Sequence, residues 1–147
     1  MKKTDQIKTR FEKKMLSWQE KNAARFYITM HTKDTLEFAH YALNELQLRL
    51  ITISGVDTPQ GIELLYHYSD DGTGAVISMR TLLEDAKHPA APSLTGLLKA
   101  SAWIEREIHE LLGVEFTGHP NPKHLLLGED WPQGEYPLRQ AKKTESK

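Results

Sequence analysis

The side chains whose types and spacing could do chemistry together fall between positions 105 and 139. Glu105, Arg106 and Glu107 are consecutive, and His109 and Glu110 follow within one helical turn. Beyond them come His119, Pro120, Lys123, His124, Asp130, Trp131, Tyr136 and Arg139, in a stretch rich in proline and glycine. Carboxylates with a histidine could carry acid–base hydrolysis, so a stand-alone hydrolase using Glu105 or Glu107 with His109 or His119 is one reading. Helical neighbours project about 100° apart, however, so the acid–base–acid triplet cannot form a catalytic pair by itself. The plain alternative is a solvated charged face on which Arg106 and Glu110, at an i,i+4 spacing, contribute about 0.2–0.5 kcal/mol. The proline-rich loop favours a third reading. One or both carboxylates accept hydrogen bonds from loop backbone or from His119, while Arg106 ties the loop or reaches a partner's carboxylate. A planar guanidinium with five donors suits such clamping better than an ammonium would.

Other chemistries are poorly served. The chain has no cysteine, which removes disulfides, thiolate nucleophiles, zinc–thiolate sites and cysteine-held iron–sulfur clusters. His119 and His124 are separated by two prolines, so no helix aligns them as metal ligands. His109-Glu110 lacks the second histidine of a zinc-protease motif, because position 113 is glycine. His119 is expected to be structural, donating to backbone or to a carboxylate. Gly72-Thr73-Gly74 is not a nucleotide loop, and no Gly-Lys-Ser/Thr occurs. A net charge of −1 gives no basic face for nucleic acid. No apolar run approaches the roughly 20 residues of a membrane span.

Around these residues the sequence predicts one α+β domain of 147 residues. Ile7, Phe11, Met15 and Trp18, spaced by four, four and three, predict a helix over residues 4–22 within an N-terminal unit at 1–22. Residues 25–30 read as a strand. Thr32 is a candidate N-cap for a helix ending near Leu46, and strands follow at 48–56, 62–68 and 75–80, the last two joined by an Asp70-Asp71-Gly72 turn. This order predicts an antiparallel or mixed four-stranded sheet with helices on one face, in a core at 23–113. A helical turn near 82–86 and a helix over 98–112 complete it, the latter capped by Ser93 or Thr95 and stopped by Gly113. The expected buried stripe is Leu97, Ile104, Ile108 and Leu111. Residues 114–139 form an irregular arm too apolar to be free: Phe116, Leu125, Leu126, Leu127, Trp131 and Tyr136 suggest a docking segment ordered by a partner. Residues 140–147 look like a flexible tail.

The stretch 105–139 resembles the signature of the 30-kDa-subunit family of proton-pumping respiratory-chain NADH dehydrogenases and their membrane-hydrogenase relatives. The Glu105-Arg106-Glu107 triplet, Glu110, Leu111-Leu112, Gly118-His119-Pro120, Lys123, Leu125-Leu126 and Pro137-Leu138-Arg139 fall at that family's spacing. The resemblance extends over about residues 25–139. It implies a cofactor-free structural subunit of a membrane-bound redox complex that couples electron transfer to ion pumping. Such a subunit joins a large catalytic partner, nickel–iron hydrogenase-like or 49-kDa-like, to iron–sulfur subunits. It would be cytoplasmic, held at the inner face of the membrane only through its complex. The interface or structural residues implied are Glu105, Arg106, Glu107, Glu110, His119, Pro120, Lys123, Asp130, Trp131, Tyr136 and Arg139. The Gly-His-Pro turn implies no metal, and the C-terminal segment is expected along the large subunit. Two departures look closer to group 4 energy-converting hydrogenases than to an NADH:quinone oxidoreductase, which stays as the alternative. Gln140 follows Pro-Leu-Arg where respiratory members run on with a basic residue, and Lys123-His124 stands where they often carry an arginine pair.

Overall fold

Alternating apolar and polar residues in four segments demand a half-buried sheet, and a fifth strand completes it. The computed structural model describes residues 1–140; the expected tail lies, from 141 onward, outside the described residues. In chain order the elements are α1 (Lys3–Phe11), β1 (Met15–Asn22), β2 (Arg25–Met30), α2 (Thr35–His40, continued by a π-helical turn Tyr41–Glu45), β3 (Arg49–Thr58), β4 (Gly61–Asp70), β5 (Ala75–Leu83), β6 (Ala90–Pro92), α3 (Ser101–Leu112) and β7 (Glu115–Thr117). Five strands form one mixed sheet in the order β1-β2-β5-β4-β3, with only β2 and β5 parallel. Strands β6 and β7 pair separately.

Ile62, Leu64, Tyr66 and Tyr68 of β4 face one side, together with Ile77 and Met79 of β5 and Phe26, Ile28 and Met30 of β2. All three helices cover that side: Ile7 and Phe11 come from α1, Phe38 and Ala39 from α2, and Ile108 and Leu112 from α3. The intervening positions, Glu63, His67, Ser78, Arg80 and Tyr27, make a polar outer face. There His67 bridges Ser54 and Ser78, and Arg80 stacks on Tyr27.

The expected helix over 4–22 stops at Phe11, and residues 15–22 are an edge strand. The misleading signal has a geometric cause. A register shift between Met15 and Ser17 inserts an extra residue, which turns both Met15 and Trp18 toward the core despite their odd spacing. A spacing of three, normally helical, is thereby made compatible with a strand, and the sheet gains its fifth member. Thr32 caps nothing, because its hydroxyl pairs with Thr81. The helical turn expected near 82–86 is replaced by the end of β5 and a bend in which Asp85 accepts the Lys87 and His88 N–H groups.

Candidate subunit interface

Helix α3 is where the sequence expectation and the structure part most clearly. Its inward stripe is Ser101, Glu105, Ile108 and Leu112, while Leu97 is exposed and Ile104 and Leu111 are half-buried. A carboxylate thus takes a core position. Glu105 is fully buried, and its oxygens accept the Leu94 N–H at 2.6 Å and the Ser93 hydroxyl at 2.6 Å. Ser93 therefore anchors Glu105 rather than capping α3, whose N-cap is Ala100 with no side-chain cap. Burial pushes the Glu105 carboxyl above its usual range, opposed by those two donors and by His119. The His119 ring, 3% exposed, lies 4.0 Å from Glu105. Its Nε2 donates to the Ala102 carbonyl and its Nδ1 accepts the Asn121 N–H, so both nitrogens are occupied.

One turn on, the outer flank of α3 holds the arm. Arg106 donates from Nε to the Lys123 carbonyl (2.9 Å) and from Nη2 to that of His124 (2.7 Å). Glu110 accepts three successive backbone N–H groups, from Leu125, Leu126 and Leu127, at 2.8, 2.7 and 3.3 Å. Burial alone would raise the Glu110 carboxyl. The three donors, with His124 nearby, outweigh it and hold the group below the ordinary carboxylate value. Arginine and glutamate at i,i+4 do not pair with each other; each grips the backbone of the same loop.

The arm's far end is pinned as well. Gly113 ends α3 with φ 77°, a left-handed conformation that spares a side chain where the Tyr136 ring packs; a Cβ would stand 2.5 Å from that ring. Leu138 N–H reaches the Leu111 carbonyl, and Arg139 donates to the carbonyls of Leu112 and Ala86 while its Nε lies 3.7 Å from Asp57. The arm, expected to be ordered by a partner, is here tied at both ends to its own domain, where α3 supplies acceptors and donors that its prolines deny it locally. Trp131 is half-buried in a turn of the arm, donating to the Glu135 carbonyl. Glu107, Pro120, Lys123 and Asp130 are exposed, and only the Lys123 backbone joins the clamp. Between arm and helix lies an open groove of about 650 Å³ lined by Arg106, His109, Glu110, Glu129, Trp131 and Tyr136. Among the described residues, no cluster of three or more His, Asp or Glu could hold a metal.

Sequence reasoning missed Trp103, which is 69% exposed on the side of α3 opposite its buried stripe. The signal was available: two positions from Glu105 on a helix is about 200° away. It also missed Ser93, Leu94 and Asp57, whose roles depend on long-range contacts.

A family model described as "Respiratory-chain NADH dehydrogenase, 30 Kd subunit" matches residues 28–147. The chain belongs to that family. Among curated relatives, the J subunit of the NAD(P)H-quinone oxidoreductase of Synechococcus sp. (strain WH7803) is 41% identical over 63 residues, 43% of this chain and 34% of the relative. The fused C/D subunit of the NADH-quinone oxidoreductase of Bacteroides thetaiotaomicron is 34% identical over 86 residues, 56% of this chain and 16% of the relative. The chain therefore spans only about a third or less of these relatives' lengths. Two solved structures share the fold. A chain of the membrane-bound sulfane sulfur reductase, described as an archaeal respiratory membrane complex, superposes with a TM-score of 0.80 at 23% identity, over 94% of this chain and 84% of that one. A trypsin-resistant fragment of Nqo5 gives 0.65 at 21% identity, over 81% and 97%. No described helix of this 30 Kd-family member is long and apolar enough to cross a membrane.

Proposed function

We propose that this 30 Kd-family chain is a cofactor-free structural subunit of a membrane-bound redox complex. It docks a large catalytic subunit, nickel–iron hydrogenase-like or 49-kDa-like, to iron–sulfur subunits and so supports electron transfer coupled to ion pumping. The observation that carries this reading is the clamped arm. Its backbone is held by Arg106 and Glu110 and its end by Arg139, while the Leu126 and Leu138 side chains stay exposed. Backbone already held in place loses less entropy on association than a free loop would. The chain would lie on the cytoplasmic side, peripheral to the inner face of the membrane through its complex.

Within this class we favour an energy-converting hydrogenase-like assembly, on the single Lys123 and the Gln140 that follows Pro-Leu-Arg. An NADH:quinone oxidoreductase is the second reading, favoured by the names of the curated relatives. The Glu105–His119 pair of the hydrolase reading has no open position for a substrate, because Glu105 is fully buried and His119 has both nitrogens engaged.

Purifying the native assembly through an affinity tag on this chain and identifying its companions tests the proposal. A large subunit with iron–sulfur subunits is expected, and the isolated chain should carry no stoichiometric iron, nickel or zinc by elemental analysis. Recovery of the chain alone from gently solubilised membranes and cytosol would overturn the reading.

A further inference from the structure

We infer that Trp103, Arg106 and Leu126 form one contact face for a protein partner, taking a segment that sets an apolar side chain beside a carboxylate. This rests on the subunit reading above and deepens it by naming the partner's chemistry at a defined place on α3.

Trp103 and Leu126 are 69% and 66% exposed, the highest values among the large apolar side chains after Met1. They belong to different segments but to one side of the helix. Trp103 precedes Glu110 by seven positions, two helical turns, so both project the same way. Glu110 holds the Leu126 N–H, Arg106 between them holds the Lys123 and His124 carbonyls, and His119 is bonded to the Ala102 carbonyl next to Trp103. Arg106 is also the i+3 neighbour of Trp103, so the clamped stretch 123–127 lies one helical turn from the indole, and the face exists only while the clamp is closed.

Arg106 has no ion-pair partner among the described residues. Arg106 spends Nε and Nη2 on neutral carbonyls, which leaves Nη1 without a partner among the described residues. Within the same residues, no carboxylate lies within 4.0 Å of the basic nitrogens of Arg106, Lys99 or Lys123. A free guanidinium edge beside an exposed indole matches a carboxylate flanked by an apolar side chain, the combination that makes tryptophan and arginine frequent anchors of interfaces. Glu107, Glu129 and Asp130 are exposed on the same helix and arm. They disfavour an extended anionic surface such as lipid and confine a partner carboxylate to the free edge of Arg106.

The test compares the tagged native complex with the isolated chain by hydroxyl-radical footprinting read by mass spectrometry. Zero-length carbodiimide coupling of the complex adds a second readout. Oxidation of Trp103 and Leu126 should be strong in the isolated chain and fall to background in the complex. Lys123 or Lys99 should couple to an aspartate or glutamate of a companion subunit. Trp103→Ala should weaken retention of the companions by about thirtyfold, an anchor-sized effect, with the melting temperature of the isolated chain unchanged. Leu126→Ser, which keeps the backbone bond to Glu110, guards against a folding artefact and should weaken retention in the same direction. Equal oxidation of Trp103 in both states, with companions still present, would overturn the face while leaving the subunit reading intact. Absence of companions would overturn both. Binding of the isolated chain to phosphatidylglycerol vesicles, lost in Trp103→Ala, would make this a membrane contact and overturn the protein-partner inference.

Discussion

Two carboxylates five residues apart on α3 meet opposite electrostatic conditions. Glu110 faces three aligned backbone N–H groups, so its folded-state value lies below the usual one. The stability it contributes is present above the unfolded value of about 4.3 and is lost as pH falls through the lowered folded value. Amide exchange at residues 125–127 should therefore accelerate only in strong acid. Glu110→Ala should bring the same acceleration at neutral pH, since hydrogen bonds to a charged group are worth roughly 1.5–3 kcal/mol each. Unchanged exchange in the variant would mean that the loop is held by something else. Glu105 has the reverse sign. Burial raises its carboxyl, so the native chain binds a proton more readily than the unfolded one, and stability from this group falls as pH rises through the raised value. Glu105→Gln keeps an acceptor for the Leu94 N–H while removing the charge. The variant should melt at least as high as the parent at neutral pH, and its melting temperature should vary less between the ordinary carboxylate range and neutrality. A steeper pH profile in the variant would contradict the assignment.

At the level of elements, two glycines decide how α3 sits. Gly55 on β3 lies under the helix, where a Cβ would come within 2.6 Å of Leu112 Cδ1 and 3.4 Å of Ile108 Cγ2. The first obstacle is the end of a flexible side chain, so Gly55→Ala should be mild. Gly55→Val should cost about 1–3 kcal/mol in chemical unfolding by overpacking. Gly113→Ala adds left-handed strain to a clash with Tyr136 and should cost about 1–3 kcal/mol. It should also raise the reactivity of Tyr136 toward modification, whereas Gly55→Val should leave that reactivity unchanged. Equal Tyr136 reactivity in the two variants would show that the helix end does not seat the arm. The bulge in β1 carries a related lesson, because one inserted residue lets a helix-like spacing of apolar side chains serve a strand.

For the whole molecule, the arm closes over its own domain through backbone bonds rather than through a buried apolar layer. Its anchors come from distant parts of the chain: Arg106 and Glu110 on α3, Asp57 at the end of β3 and the Ala86 carbonyl after β5. In the isolated chain, the amides of Leu125, Leu126, Leu127 and Leu138 should exchange more slowly than those of Gly128 to Gln133, of which only Trp131 N–H is bonded within the backbone. Arg139→Ala should release the end of the arm, seen as earlier proteolysis after Trp131, with little change in global stability. Uniform fast exchange across 118–140 would return the arm to a partner-dependent segment.

Local chemistry made much of this legible beforehand. Period-two alternation marked β4, the Asp70-Asp71-Gly72 turn marked β5 as its return, and the order of elements placed the helices on one face, since a sheet with one apolar side must be covered on that side alone. Glycine at 113 marked the end of α3, and the composition of 105–139 marked the family. Tertiary structure decided the rest. Residues 15–22 became a strand because an open edge beside β2 offered backbone partners that a lone helix turn could not. Glu105 went inward because Ser93 and Leu94, more than ten positions away, supply the donors that offset its burial. Arg106 and Glu110, spaced to bind one another, instead bind a loop that only the folded chain brings to them. Spacing along a helix specifies which side chains share a face; it carries no information about the distant backbone groups that will meet that face.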